Sequence, residues 1–309
     1  MLFNRYATGI FAVSLFAASG AIGQDYKEAP QLLKKVEENQ LPPVAERLPV
    51  RPEVVTPIDS VGRYGGSLKS GIIGASDQSF LLRWIGAQGF VRRSTNFDEI
   101  VPNLAETYQV SDDNRLFTFT LREGLHWSDG TPMTTEDVRF AMEDVMLNSD
   151  LGAIESRYVA GGTPVRVEIV DDRTVTFTFD QPNAMFLIEM TRWEGQSPVY
   201  YPKHYCSQFH ADHNPDVMTL AAQGGYADWQ SLFAAKCGGV RTAARFMNIE
   251  RPVMDPWVIT APYNGGATRV TYARNPYFWQ VDTEGNQPMR GCRPLQKCRP
   301  RPCDPRPEG

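Results

Sequence analysis

The chain has 309 residues, 42% of them hydrophobic and 22% charged, with 36 acidic against 31 basic side chains and a formal charge of −5. Setting aside the +1 of residues 1–23 and the +4 of residues 288–309 leaves −10 on residues 24–287. Such a body offers no clustered Lys/Arg footprint for nucleic acid or an anionic membrane, and roughly 265 residues suffice for one large domain or two smaller ones.

The N-terminus, MLFNRYATGIFAVSLFAASGAIGQD, sets Arg5 before an apolar run from Ile10 to Ala18, followed by small residues. Ala21-Ile22-Gly23 fits a small-x-small cleavage pattern, so residues 1–23 read as a signal peptide with a mature start near Gln24. The run is shorter than the roughly 20 apolar residues a membrane-spanning helix needs; the competing reading is a buried first helix. No Cys stands at the cleavage point to carry a lipid anchor. The expectation is a soluble protein exported to the periplasm, where disulfides can form.

Leu32, Leu33 and Val36 form one apolar stripe and predict a short amphipathic helix over residues 29–39. Pro42, Pro43, Pro49, Pro52 and Pro57 then predict an extended surface connector. Gly65-Gly66 reads as a turn into a strand over Ser67–Ile73. Two hairpins follow. Tyr108–Val110 leads through Ser111-Asp112-Asp113-Asn114 into LFTFTL, and VRVEIV leads through Asp171-Asp172 into TVTFTF. Alternation over six residues predicts sheet with one buried face, and Asp/Asn suit the turns. Between the hairpins, PMTTEDVRFAMEDVML pairs Thr134 with Asp137 as a helix cap and repeats Val138, Ala141, Met142, Val145 and Met146 at helical spacing. The fold class expected is mixed α/β.

No G-x-S-x-G, P-loop, G-x-G-x-x-G or H-E-x-x-H pattern occurs. Ser76-Asp77 lacks a positioned base nearby, because His126 is the sole histidine outside residues 204–213. Glu136-Asp137 suit a helix dipole better than acid–base work. No enzyme is expected. PKHYCSQFHADHNPD gathers His204, Cys206, His210 and His213, but their spacing matches no structural zinc pattern. Tyr201, Tyr205 and Phe209 interleave as in a helix packed on a core, so neither metal nor cofactor is expected. Within residues 24–287 an internal bridge has only Cys206 and Cys237 to use. Free thiols would be a liability in an oxidising compartment, yet sequence leaves open whether their Cα atoms come within the roughly 7 Å required. Six tryptophans (84, 127, 193, 229, 257 and 279) are spread along the chain, for core or for a ligand wall. Residues 288–309 hold six prolines and three cysteines with few large apolar groups, and are expected to be disordered.

ETYQVSDDNRLFTFTLREGLHWSDGTPMTTEDVRFAMEDV resembles the family 5 solute-binding proteins of ABC importers, the group that includes periplasmic dipeptide- and oligopeptide-binding proteins. The pattern is an acidic turn, an alternating strand, a Trp, Ser-Asp-Gly-x-Pro, then a helix opening on Thr with Glu-Asp-Val. EAPQLL, LPPVAERLP, WEGQSPVYYPKHY and TYARNPYFWQVDTEGNQ agree, so the resemblance runs from Tyr26 to Gln287.

The resemblance implies the N-terminal lobe of a two-lobe type II periplasmic-binding-protein fold, the lobes closing like a hinge on the ligand. On this reading residues 24–60 are the N-terminal helix and connector, 61–274 the first lobe, and 275–287 the start of the hinge crossover. The Arg/Pro/Cys segment after Gln287 reads as a shifted frame or premature end, with most of the second lobe missing and ligand binding weakened. In peptide-binding relatives the carboxylate that holds the ligand's amino terminus lies in that second lobe, and no position here corresponds to it. The implied function is capture of oligopeptides, by a monomer, for delivery to membrane permease subunits. An oligosaccharide is the alternative within the family, and a secreted enzyme or adhesin the alternative outside it. Ser76, Asp77, Gln78, Trp193, Glu194 and Tyr200 are the pocket residues implied.

Overall fold

The computed structural model describes residues 26–287, apart from 58–59, 243, 263–268 and most of 66–87. The expected signal peptide, the tail and most of the strand expected over Ser67–Ile73 lie outside the described residues.

Pro30 opens a helix that runs to Glu37 and buries Leu32; proline suits this position because its missing N–H would have no partner in a first turn. The expected extended connector differs in one respect, since Val44–Arg47 forms a single helical turn. Arg47 is the reason. Its buried guanidinium donates to both carboxylate oxygens of Glu28 at 2.5 and 2.7 Å, to the Pro42 carbonyl at 2.8 Å, and to the Pro276 carbonyl. Glu28 also accepts from the Val44 N–H at 3.1 Å, which engages a donor that a helix start leaves free. The turn is thus held by side chains rather than by its own proline-flanked sequence.

Strands β1 (Glu53–Val55), β2 (Val91–Arg93) and β3 (Ile100–Pro102) are short. They lead to β4 (Ala105–Val110) and β5 (Leu116–Leu121). A two-residue pair follows, β6 (Val159–Ala160) with β7 (Thr163–Pro164), and then β8 (Arg166–Ile169) and β9 (Thr174–Thr178). The two expected hairpins join in one antiparallel sheet of order β4-β5-β9-β8. Alternation sends Phe117, Phe119 and Leu121 into the core, with Val175 and Phe177 of β9 beside them. Phe90 stacks on Phe119 at 4.6 Å, and Phe186 meets Phe117 edge-on at 4.8 Å. At the first turn the Ser111 hydroxyl accepts from Leu116 N at 2.9 Å, while Asn114 takes a positive φ of 55° that its short polar side chain tolerates.

The helix between the hairpins starts as expected. Thr134 and Asp137 form the reciprocal cap ahead of Thr135–Arg139. From Phe140 to Met146 it widens into a π-helix, closed by Leu147 N donating to the Met142 carbonyl at 2.8 Å. The apolar spacing predicts one buried stripe; the structure uses two. Val138 and Met142 face the sheet core, whereas Phe140, Ala141 and Val145 join a second core built on Tyr200, Tyr201, Trp229, Leu232 and Phe233. The helix is therefore a partition buried on both sides. Cys206 and Cys237 form a disulfide inside the second core, with Cα atoms 5.9 Å apart.

The last described segments fold back on the first. Strands β10 (Trp257–Ala261) and β11 (Thr271–Arg274) pair antiparallel, and β12 (Gln280–Asp282) runs parallel to β1. In the Ser-Asp-Gly-x-Pro loop Asp129 accepts from Thr131 N at 3.0 Å, and Gly130 has φ +91°. A Cβ on Gly130 would lie 2.7 Å from the Tyr277 hydroxyl, so both conformation and space demand glycine there. Ser128 and Val253 exchange two bonds, and Asn275 Nδ2 donates to the Asp255 carbonyl at 2.9 Å. The two most recognisable stretches of the sequence, around Gly130 and Tyr277, are a single packed seam. Among the described residues no helix is long and apolar enough to cross a membrane.

Candidate functional site

Trp193 opens a 3-10 turn, Trp193–Val199, that lies against the middle of the chain. The turn approaches so closely that a Cβ at Gly195 would meet the Met190 backbone at 2.5 Å. Trp193 itself is half-buried. With Trp257, Ile259 and Tyr272 it surrounds the fully buried Phe246, and the four make an aromatic-rich wall open on one side.

The wall has a charged floor. Arg245 follows Ala244 on a short helix and is buried beside Phe246. Its Nη2 donates to Asp255 Oδ2 at 2.7 Å and to the Gly86 carbonyl at 3.2 Å, and its Nη1 donates to Gln196 Oε1 at 3.0 Å. Gln196 Nε2 in turn holds the Trp193 carbonyl at 2.8 Å, so floor and wall are one network. Tyr200 lies buried beneath, its ring 4.2 Å from the Arg251 guanidinium carbon and 5.2 Å from that of Arg245, within cation–π range. Burial pushes the Asp255 carboxyl up, while Arg245 and Arg251 pull it back. Burial likewise pushes the Tyr272 phenol up to about 12, so it stays a neutral hydroxyl at ordinary pH.

Of the residues singled out from sequence, Trp193 stands on the wall. Tyr200 supports the floor from below rather than facing outward. Glu194, largely buried, is paired with Arg241 to one side. Ser76, Asp77 and Gln78 lie outside the described residues. Arg245, Arg251, Asp255 and Tyr272 were not legible as site residues. The one local hint is the placing of four charges, Arg245, Glu250, Arg251 and Asp255, within AARFMNIERPVMDPW, an otherwise largely apolar stretch.

The histidine-rich segment does not converge on a point. His204 Nε2 meets Asp129 Oδ2 at 2.8 Å, His210 Nε2 meets the Asp144 carbonyl at 2.9 Å, and His213 Nε2 meets Asp144 Oδ2 at 2.8 Å. Cys206 is occupied by its disulfide. Among the described residues no three His, Cys, Asp or Glu side chains are grouped as metal ligands. What the wall and floor can do is stack on a ligand and offer it a few fixed polar groups, the usual make-up of a small-molecule site.

The description of bacterial extracellular solute-binding proteins, family 5 Middle, matches residues 99–290. A periplasmic alpha-galactoside-binding protein of Rhizobium meliloti (strain 1021) is 29% identical over 293 residues, covering 85% of this chain and 38% of the relative. Among solved structures, an oligopeptide-binding protein OppA superposes with a TM-score of 0.76 at 34% identity, over 85% of this chain and 40% of that one. The periplasmic binding protein MelB of Agrobacterium fabrum C58, in complex with stachyose, gives 0.63 at 25% identity, over 85% and 39%. The chain thus spans about two fifths of the length of these relatives. With the match covering well over half of its residues, the chain belongs to the family 5 bacterial extracellular solute-binding proteins.

Proposed function

We propose that the protein captures oligopeptides outside the cytoplasmic membrane and hands them to the permease of an ABC importer. The observation that carries this reading is the half-buried wall of Trp193, Trp257 and Tyr272 standing over the Arg245–Asp255 floor, in a chain of a solute-binding family. A peptide presents both apolar side chains for such a wall and charged groups for such a floor. The superposition on an oligopeptide-binding protein supports the same reading. The periplasmic address, the signal peptide over residues 1–23 and a two-lobed whole belong to this proposal. Nothing in the wall or floor pairs a nucleophile with a base, and no catalytic role is proposed.

A second reading is an oligosaccharide ligand. It is favoured by the relatives described as binding alpha-galactosides and stachyose, since exposed Trp faces also stack on sugar rings. Calorimetry on the 309-residue chain with tetraalanine, stachyose and cellotetraose separates the two. Saturable heat with tetraalanine, weakened in Trp257→Ala, is the expected outcome. Saturable heat with a sugar alone would replace the first reading with the second. Heats that are identical in the wild type and Trp257→Ala would remove this face as the site.

A further inference from the structure

Charge balance in the floor points to what it holds. Arg245 and Arg251 are each 3% exposed and Asp255 is 5% exposed. Asp255 is the sole carboxylate that pairs with either arginine among the described residues. The hydrogen bond of Arg251 runs to a neutral acceptor, the Gly238 carbonyl at 3.4 Å, and its guanidinium otherwise rests on the Tyr200 ring. Two guanidinium groups thus face one carboxylate in a site with little water. Arginine does not escape by losing its proton, and a buried charge left without a partner is strongly unfavourable.

Unused hydrogen-bonding capacity gathers at the same place. Arg245 Nε, Tyr200 Oη and Tyr272 Oη are buried and have no hydrogen-bond partner among the described residues. Arg245, Arg251, Asp255, Trp257 and Tyr272 line a depression with a free volume of about 10 Å³. That is room for one water-sized group. A whole sugar ring does not enter it, whereas one oxygen atom at the end of a ligand does.

We propose that the Arg245–Arg251–Asp255 cluster is a subsite for one carboxylate oxygen of the ligand. This deepens the peptide reading by naming the group recognised. The carboxylate supplies the missing negative charge and accepts hydrogen bonds from the cluster, while the remainder of the ligand lies outward along Trp257, Tyr272 and Trp193. A peptide C-terminus and an acidic side chain present the same chemistry.

The test begins with acetate as the probe, on the full chain. Sodium acetate should raise the unfolding midpoint above that in sodium chloride at equal ionic strength, because a ligand that binds only the native state stabilises it. Arg251→Lys, which keeps the charge, should retain the response, and Arg251→Gln should lose it. Should Arg251→Gln fail to fold, selective broadening of the acetate methyl resonance by wild-type protein, reversed by excess formate but not by chloride, decides in its place. An acetate response equal to that of chloride, or one unchanged in Arg251→Gln, overturns the proposal.

A second arm compares tetraalanine with its C-terminal amide and with that amide carrying one internal Glu. Loss of the charge-assisted contact should weaken the plain amide about tenfold or more. Recovery by the Glu peptide assigns the site to side-chain carboxylates, and no recovery assigns it to the C-terminus. Acetate binding without tetraalanine binding would sink the peptide reading and leave the subsite standing. Equal binding of tetraalanine and its amide would do the reverse.

Discussion

Arg47 and Arg245 are each buried against a carboxylate, and the clusters around them differ in how the guanidinium is used. Around Arg47 the charges balance, one guanidinium against Glu28, and all three nitrogens of the arginine donate to protein acceptors. Around Arg245 a second arginine tips the balance, Nε is idle, and two neighbouring phenols are idle with it. The first cluster closes a seam between the beginning and end of the described chain. The second underlies an open aromatic wall. A polar network completed within the protein holds the fold together, and one left short of a charge and several bonds is suited to something that arrives from outside.

The largest effect that would break this contrast is expected at the seam. Arg47→Met leaves Glu28 without its cation, and removing one member of such a buried pair costs about 3–5 kcal/mol. Chemical denaturation should show a loss of that size; a change under about 1 kcal/mol would mean that the seam is not held as described. Gly130→Ala comes next. It must accept a left-handed backbone and a contact with Tyr277, for a loss of about 2–3 kcal/mol. Combining it with Tyr277→Ala should relieve the contact but not the backbone strain, giving a cycle smaller than the sum of its parts.

At the wall the pattern should invert. Trp257 is only half-buried, so Trp257→Ala should cost about 1 kcal/mol in stability while weakening capture of the ligand. A loss as large as that of Arg47→Met would assign Trp257 to the core.

The smallest effect is a matter of pH. Burial holds the His126 imidazole below its ordinary value. The unfolded chain therefore takes up this proton first. The native advantage is complete above about pH 6.5 and is lost as the pH falls from there towards the native value. His126→Gln should flatten stability across that window, and an unchanged slope would point to another group.

Legibility in sequence divided along physical lines. Both hairpins could be read because their apolar residues alternate with Thr, a local pattern that β5 keeps in its burial and β9 keeps only in its sequence, since Thr176 is buried too. The Thr134–Asp137 cap could be read because it acts over three residues. The partition helix was half legible: its start is local, but its division between two cores depends on what packs on each side. Arg47 gives no local sign of its role, because one of its acceptors lies 229 residues away. At the candidate site Trp193 could be nominated from a resemblance. The Arg245–Asp255 pair has no periodicity and no motif, and it forms only because the chain after the short Ala244–Met247 helix turns back on it. Charges that recognise one another across such a turn are the part of a site that a linear reading reaches last.

That separation of 229 residues also dictates an order of events. A chain made from its N-terminus displays Glu28 and Arg47 long before Pro276 exists to receive the guanidinium. Loop closure over such a distance costs roughly 2–3 kcal/mol more than closing a short hairpin. The β4–β5 and β8–β9 pairs can form as soon as they emerge, whereas the closing bond of the Arg47 pocket and the parallel β1–β12 pair must wait for residues 276–282. Until then the N-terminal helix lacks the Tyr277 packing, the turn lacks the Pro276 carbonyl and β1 lacks the strand that pairs with it.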